Sequence, residues 1–208
     1  MNIAARKSRQ KQDLRDRILR AARKIVTQEG FAALTMRRLA ADIEYAPGTI
    51  YLYFASRDEI AMELCREGFR KLLSYMEPVA SIADPLDRLR AGLHAYLRYA
   101  LEHPAMYRMT FMEPPKFANA ALSEAPIENQ EDSGMQAFGF LTQSFDRLRA
   151  DGRLATGLPS HQLAEIFWAS THGIVSLKIT HPAFPVTPAE ELLDTSLDSL
   201  LRGILRQA

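Results

Sequence analysis

The sequence predicts an all-α protein: an N-terminal three-helix domain containing a helix-turn-helix, followed by a helical body, about nine helices in total. Three observations predict it. Apolar residues recur at three- and four-residue spacing over most of the chain, with no strand-like alternation of useful length. The breaks between these stripes carry helix punctuation: caps, prolines at first positions and glycines at ends. The basic charge is also concentrated at one end. Residues 1–57 hold twelve Lys/Arg against five Asp/Glu, a surplus of seven, whereas the rest holds fourteen against twenty, a deficit of six. A basic head on an acidic body points to a polyanion as partner of the head alone, the alternative being a solvated charged helix face.

At 208 residues, 47% hydrophobic and 25% charged, the chain can bury a core in one or two domains. Cys65 is the only cysteine, which excludes an internal disulfide and suits a reducing cytoplasm. The start, MNIAARKSRQKQD, lacks an apolar stretch behind its basic residues, so no secretory signal is expected. No run approaches 18 uninterrupted apolar residues, so no membrane span is expected either.

Residues 2–12 read as a flexible basic arm, with Arg6, Lys7, Arg9 and Lys11 able to reach phosphates or to act as a solubilising tail. Leu14, Ile18, Ala21, Ala22, Ile25 and Val26 then trace one face of a helix over 13–28 that Gly30 closes. Thr35 is a good N-cap for a helix carrying Met36, Leu39, Ala40 and Ile43. Pro47 suits the first position of the next helix, where its missing N–H would be unpaired anyway. Ile50 and Phe54 face inward there, and Gly48, Thr49, Leu52 and Tyr53 outward beside Tyr51. Such an outward face fits DNA, since glycine allows close approach and hydroxyls bond phosphates or base edges; half-buried tyrosines with wet tips are the alternative. Ser56 and Glu59 form a capping box, so a further helix starts at Arg57. Two short helices around a turn, in a basic segment, outline a DNA-reading helix-turn-helix.

The run Gly30-Phe31, Thr35, Leu39-Ala40, Pro47-Gly48-Thr49-Ile50-Tyr51-Leu52-Tyr53-Phe54 and Arg57-Asp58-Glu59-Ile60 resembles the TetR family of transcriptional regulators over about the first 60 residues. The resemblance implies that Thr35 caps its helix and bonds a phosphate, with Arg37 and Arg38 near the DNA backbone. It places Pro47, Gly48, Thr49, Tyr51 and Tyr53 on the major groove and its flanks, and makes Arg57 a phosphate contact where the family commonly has Lys. Two positions depart from the family pattern: Glu44 stands where glycine is usual in the turn, and Ala46 where serine is common. A positive φ at Glu44 would be strained by roughly 1–2 kcal/mol, so a turn of different shape is expected. Ala46 offers no side-chain oxygen to cap the next helix. The implied domains are 1–56, arm and DNA-binding domain, and 57–208, ligand-binding and dimerisation domain.

The body reads as successive helices. Ile60 to Met76 end at Pro78; Leu86 to Leu101 are entered through Asp84-Pro85 and stop before His103-Pro104; Ala105 to Met112 form a short Met- and aromatic-rich piece. Residues 116–134 lack a period and read as a mobile surface loop. Phe138 to Leu148 close at Gly152; Ser160 caps a helix carrying Leu163, Ile166, Phe167, Ile174 and Leu177; Thr187 caps a last helix carrying Leu192, Leu193, Leu197, Leu200, Leu201, Ile204 and Leu205. The last two stripes are broader than one-sided packing requires, and in a TetR-like protein such a pair forms a four-helix bundle with its twin, giving the homodimer that a palindromic double-stranded DNA operator needs. Trp168-Ala169-Ser170-Thr171-His172-Gly173 resembles a Trp–His–Gly signature of one type of TetR C-terminal domain.

The family resemblance also implies a small-molecule effector, apolar to judge from the residues available to line a cavity. Tyr96, Met106, Tyr107, Met109, Phe111 and Met112 supply one set, and Phe138, Phe145, Phe167, Trp168 and His172 another; ordinary core is the alternative. None of His94, His103, His161, His172 and His181 sits in a metal-binding motif, and no nucleophile elbow, P-loop or dinucleotide fingerprint occurs. No cofactor, metal or catalysis is therefore expected; the rival reading is a helical small-molecule-binding protein or enzyme without specific DNA binding.

Overall fold

The computed structural model describes residues 3–112 and 133–206. Those residues form nine α-helices and no strand: α1 (Ile3–Glu29), α2 (Met36–Asp42), α3 (Pro47–Tyr51), α4 (Arg57–Met76), α5 (Pro85–Glu102), α6 (Pro104–Tyr107), α7 (Ser133–Ala150), α8 (Ser160–Thr180) and α9 (Ala189–Ile204). A π-helical turn, Arg108–Met112, extends α6. The chain divides into two compact units, one holding residues up to 68 and the stretch from 105, the other 69–104 and 133–206.

The first unit packs α1 to α3 and the start of α4 around one core. Ile18, Leu34, Leu39, Ile50, Ile60 and Leu64 are fully buried in it. Ile50 and Phe54 face inward as their spacing requires, and burying each is worth about 1.5–3 kcal/mol, ample to hold the five-residue α3 that could not exist alone. Two arginines of α1 fasten it to α4: Arg15 lies 3.3 Å from Glu63 and Arg23 2.5 Å from Glu67. The segment expected as a flexible arm instead continues α1 from Ile3. It contains Ala, Arg, Lys and Gln, all good helix formers, and neither Gly nor Pro, so a helix already stabilised by packing at 18–26 propagates backward at little cost.

The second unit is built from α5, α7, α8 and α9, each of α7, α8 and α9 packing on α5 and α8 lying against both α7 and α9. Asp84 caps α5, its carboxylate accepting from the N–H groups of Leu86 and Asp87. Gly92 permits a close α5–α7 approach, since a Cβ there would lie 2.3 Å from the Phe140 ring. Phe145 and Phe167, both fully buried, meet edge to face at 5.0 Å between α7 and α8. Backbone hydrogen bonds tie Ala155 to Ile204 and Arg206 to Arg153, clipping the end of α9 to the loop after α7. Pro159 and Pro188 occupy the cap positions of α8 and α9, each one residue away from the expected Ser160 and Thr187, and neither helix has a side-chain cap. Leu101, Ile166 and Leu177, counted within apolar stripes, are exposed. The segment 116–134 lies outside the described residues except for its last two, which begin α7.

Candidate nucleic-acid interface

Thr35 has extended backbone, and its Oγ1 accepts the N–H of Arg38 at 3.1 Å, so α2 starts where the sequence places it. The helix ends in a Schellman arrangement. The N–H of Tyr45 bonds the carbonyl of Ala40 at 2.9 Å, and that of Glu44 bonds Ala41 at 3.2 Å. This geometry requires a left-handed residue, and Glu44 supplies it with φ 61°. The turn therefore does not change shape to avoid the strain. Two closing hydrogen bonds, with Ile43 buried behind and Ile50 ahead, over-determine the conformation. Ala46 then begins α3 without a side-chain cap, its carbonyl accepting from Thr49 N–H at 2.9 Å.

This turn aims α3 outward. Pro47 and Gly48 are exposed, Thr49 is half-buried beside them, and Tyr51 and Leu52 are 55% and 76% exposed. A Cβ at Gly48 would meet nothing, so no packing within the chain demands glycine there. Tyr53 leans back against the core with its ring half-buried. Arg37 of α2 is exposed. Arg38 is held by Glu29 through two guanidinium hydrogen bonds, one of 2.7 Å, and that pairing keeps the Glu29 carboxyl below its ordinary range. Arg57 sits at the start of α4 within 3.3 Å of Asp58, where Ser56 Oγ accepts from Glu59 N–H at 3.1 Å. Glu59 reaches back to the N–H of Ala55, one residue before the capping-box partner. Thr35, Arg37, Pro47, Gly48 and Tyr51 are thus exposed, whereas Thr49, Tyr53, Arg38 and Arg57 are partly buried, Arg38 and Arg57 in ion pairs of their own. Leu52 is exposed as its spacing requires, and Tyr45, which sequence reasoning did not single out, is exposed too.

The residues considered for a ligand cavity divide between the units. Met109 is buried in the first-unit core with Met106 packed on it, and Tyr107 lies against Phe111 at 4.9 Å; these four belong to a different unit from the rest. In the second unit, Tyr96, Phe138, Trp168 and His172 come together. Trp168 Nε1–H donates to the Tyr96 hydroxyl at 3.1 Å, which lies 3.3 Å from His172 Nδ1, while His172 Nε2 lies 3.2 Å from Ser176 Oγ. A neutral imidazole that accepts Tyr96 O–H at Nδ1 and donates Nε2–H to Ser176 satisfies both contacts. Burial pushes His172 below its ordinary value of 6.5, in the same sense. The Phe138 ring stands edge-on to Trp168 at 6.4 Å. Phe145 and Phe167 are taken up by each other in the packed core. A further buried cation escaped sequence reasoning: Arg88 is 5% exposed, stacked 4.6 Å over Phe140, with Gln143 at 3.4 Å. Among the described residues no group of three potential metal ligands stands together.

No described helix is long and apolar enough to cross a membrane. Residues 18–64 match the family described as bacterial regulatory proteins, tetR family, and residues 89–203 match the tetracyclin repressor-like C-terminal domain. The HTH-type transcriptional repressor KstR2 of Mycobacterium tuberculosis is 36% identical over 91 residues, covering 43% of this chain and 44% of that protein. The chain spans about a third to a half of the length of the curated relatives it matches. A Rhodococcus protein of unknown function shares the fold with a TM-score of 0.73 at 20% identity, over 93% of this chain and 96% of that one. So does SmeT, the repressor of the Stenotrophomonas maltophilia multidrug efflux pump SmeDEF, with 0.68 at 19% identity over 93% and 91%. The two domain matches, lying on the outward-turned α3 and on the α5–α9 bundle, identify the chain as a member of the TetR family of bacterial regulators.

Proposed function

We propose that this protein is a dimeric DNA-binding transcriptional regulator, a repressor that holds a palindromic operator and is released by a small apolar ligand. The observation that carries the reading is α3: a five-residue helix anchored by Ile50 and Phe54, presenting Gly48, Thr49 and Tyr51 outward on a positively charged unit. Presented to a major groove, that surface bonds base edges and phosphates, with Thr35, Arg37 and Arg57 on the flanking backbone. One such head makes few base contacts, so two copies on half-sites about 34–36 Å apart supply specificity.

Second-unit features support the dimer. Ile166 and Leu177 of α8 are exposed, and Gly173 between them has open space where a side chain would stand. Leu192, Leu200 and Ile204 of α9 remain only half-buried. These positions form an apolar surface that a twin would cover. For effector binding, the Tyr96–Trp168–His172 cluster with Phe138 supplies an apolar wall with oriented polar groups, the usual make-up of a small-molecule site. Helix α4 is continuous through residues of both units, so it is the element through which a ligand-favoured state would alter operator fit.

The test is selection of genomic fragments by the full chain, with and without apolar compounds. A recurring palindrome should be enriched and lost with an effective ligand. Tyr51→Ala and Arg57→Ala should weaken binding to that palindrome by roughly tenfold while the dimer persists. Fragments enriched without any shared sequence would sink the proposal.

A further inference from the structure

Five of the basic residues of α1 play two different parts. Arg15 and Arg23 are spent on Glu63 and Glu67. Lys7 and Lys11 are exposed and Arg17 is at least partly so, and among the described residues none of the three has an ion pair. Lys7 and Lys11 lie one turn apart on α1, and with Arg17, Leu14, Tyr45 and Tyr53 they line an open groove of about 580 Å³. The Arg17 guanidinium lies 5.6 Å over the Tyr45 ring, which steadies both groups in the lining. Asp13 is the one acid in the lining, so cations outnumber anions there. The two tyrosines bracket α3 in sequence, one before it and one after it. The groove therefore lies between the N-terminal part of α1 and the two residues that flank α3.

We propose that this groove is a second nucleic-acid site, holding the sugar–phosphate backbone of the duplex that flanks each half-site. The inference rests on the DNA-binding reading and adds to it a longer footprint. A chain of phosphates fits the geometry better than a small free anion. The groove is open, its lysines are solvent-exposed, and no buried donor closes around a single ligand. The cations instead are spread over a rise of about 15 Å along α1 from Lys7 to Arg17, the axial span of about four phosphates of one strand. Phenol hydroxyls of Tyr45 and Tyr53 would donate to the same oxygens. This spacing exists because α1 is helical from Ile3; an unstructured arm would not hold it.

The test uses the full chain and two duplexes bearing the selected operator, one ending at the half-sites and one extended by about five base pairs on each side, the reach of the α1 cations. Wild type should bind the extended duplex roughly tenfold more tightly than the trimmed one. Lys7→Ala/Lys11→Ala should erase that difference, lower the slope of log affinity against log salt by about one for each phosphate no longer neutralised, and leave affinity for the trimmed duplex unchanged. Alanine is the strongest helix former, so α1 persists, and Arg17→Gln gives an independent second variant. Equal weakening on both duplexes, or none on either, would overturn the groove while leaving the α3 reading intact. Saturable binding of inorganic phosphate or a mononucleotide that depends on Lys11 and Arg17 would replace the backbone with a small anion. Wild type without preference for any duplex would overturn both readings.

Discussion

Glu44 offers a direct measurement of backbone strain. At φ 61° an L-residue costs roughly 1–2 kcal/mol, because Cβ crowds the following carbonyl. Glu44→Gly removes that cost, but glycine also loses more freedom on folding, by about 0.5–1 kcal/mol. The net gain should be about 0.5–1 kcal/mol, a rise in Tm of about 1–4 °C for a chain of this size. Glu44→Ala removes the same side-chain charge but keeps a Cβ in the left-handed region, so its stability should match wild type within about 0.5 kcal/mol. Glu44→Asn should fall between, since asparagine tolerates this region. Thermal unfolding of the three variants in one buffer decides the matter. Equal midpoints for Glu44→Gly and Glu44→Ala would refute the reasoning, because they would show that φ is not what residue 44 contributes. Charge is read separately: both variants remove one negative group beside the proposed DNA surface, so both should tighten duplex binding equally.

Gly92→Ala places a methyl 2.3 Å from the Phe140 ring between α5 and α7, and a drop in stability of about 1–3 kcal/mol is expected in denaturant titration; an unchanged midpoint would mean the two helices separate freely. His172 is held below 6.5 by burial, so the unfolded chain binds its proton first as pH falls. The stability this neutral imidazole contributes is complete above pH 6.5 and lost as pH drops below it, and His172→Gln should flatten that acid-side slope. Leu177→Arg or Leu200→Arg should convert a dimer to monomers in sedimentation while preserving the helical circular dichroism signal; an undisturbed dimer would place the interface elsewhere.

Local chemistry made much of this protein legible. Helix periodicity, the Thr35 and Asp84 caps, Pro47, the glycines that end helices and the Ser56–Glu59 box all act within a few residues, so the all-α class and the helix-turn-helix could be read from spacing alone. The inward turn of Ile50 and Phe54 followed by the same rule. Where local signals competed, reading was less secure. Residues 2–12 were too polar to look helical, yet from Ile3 onward their intrinsic propensity and continuity with a packed helix settled them. A glutamate at a glycine position suggested a different turn, but hydrogen bonds and burial around it outweighed the strain.

What the sequence by itself determined is which segments are helices, where they start and stop, and which family motif they carry. Only the tertiary structure decided which faces meet. It sent Met106 and Met109 to the core that also holds Ile50 of α3, joined Tyr96 to Trp168 and His172 across 72 and 76 residues of chain, engaged Arg38 with Glu29, and set Lys7, Lys11 and Arg17 of α1 beside Tyr45 and Tyr53. The reason is physical: a cap or a stripe is chosen by neighbours one turn away, whereas an aromatic or charged side chain acquires its role from whichever distant helix packs against it.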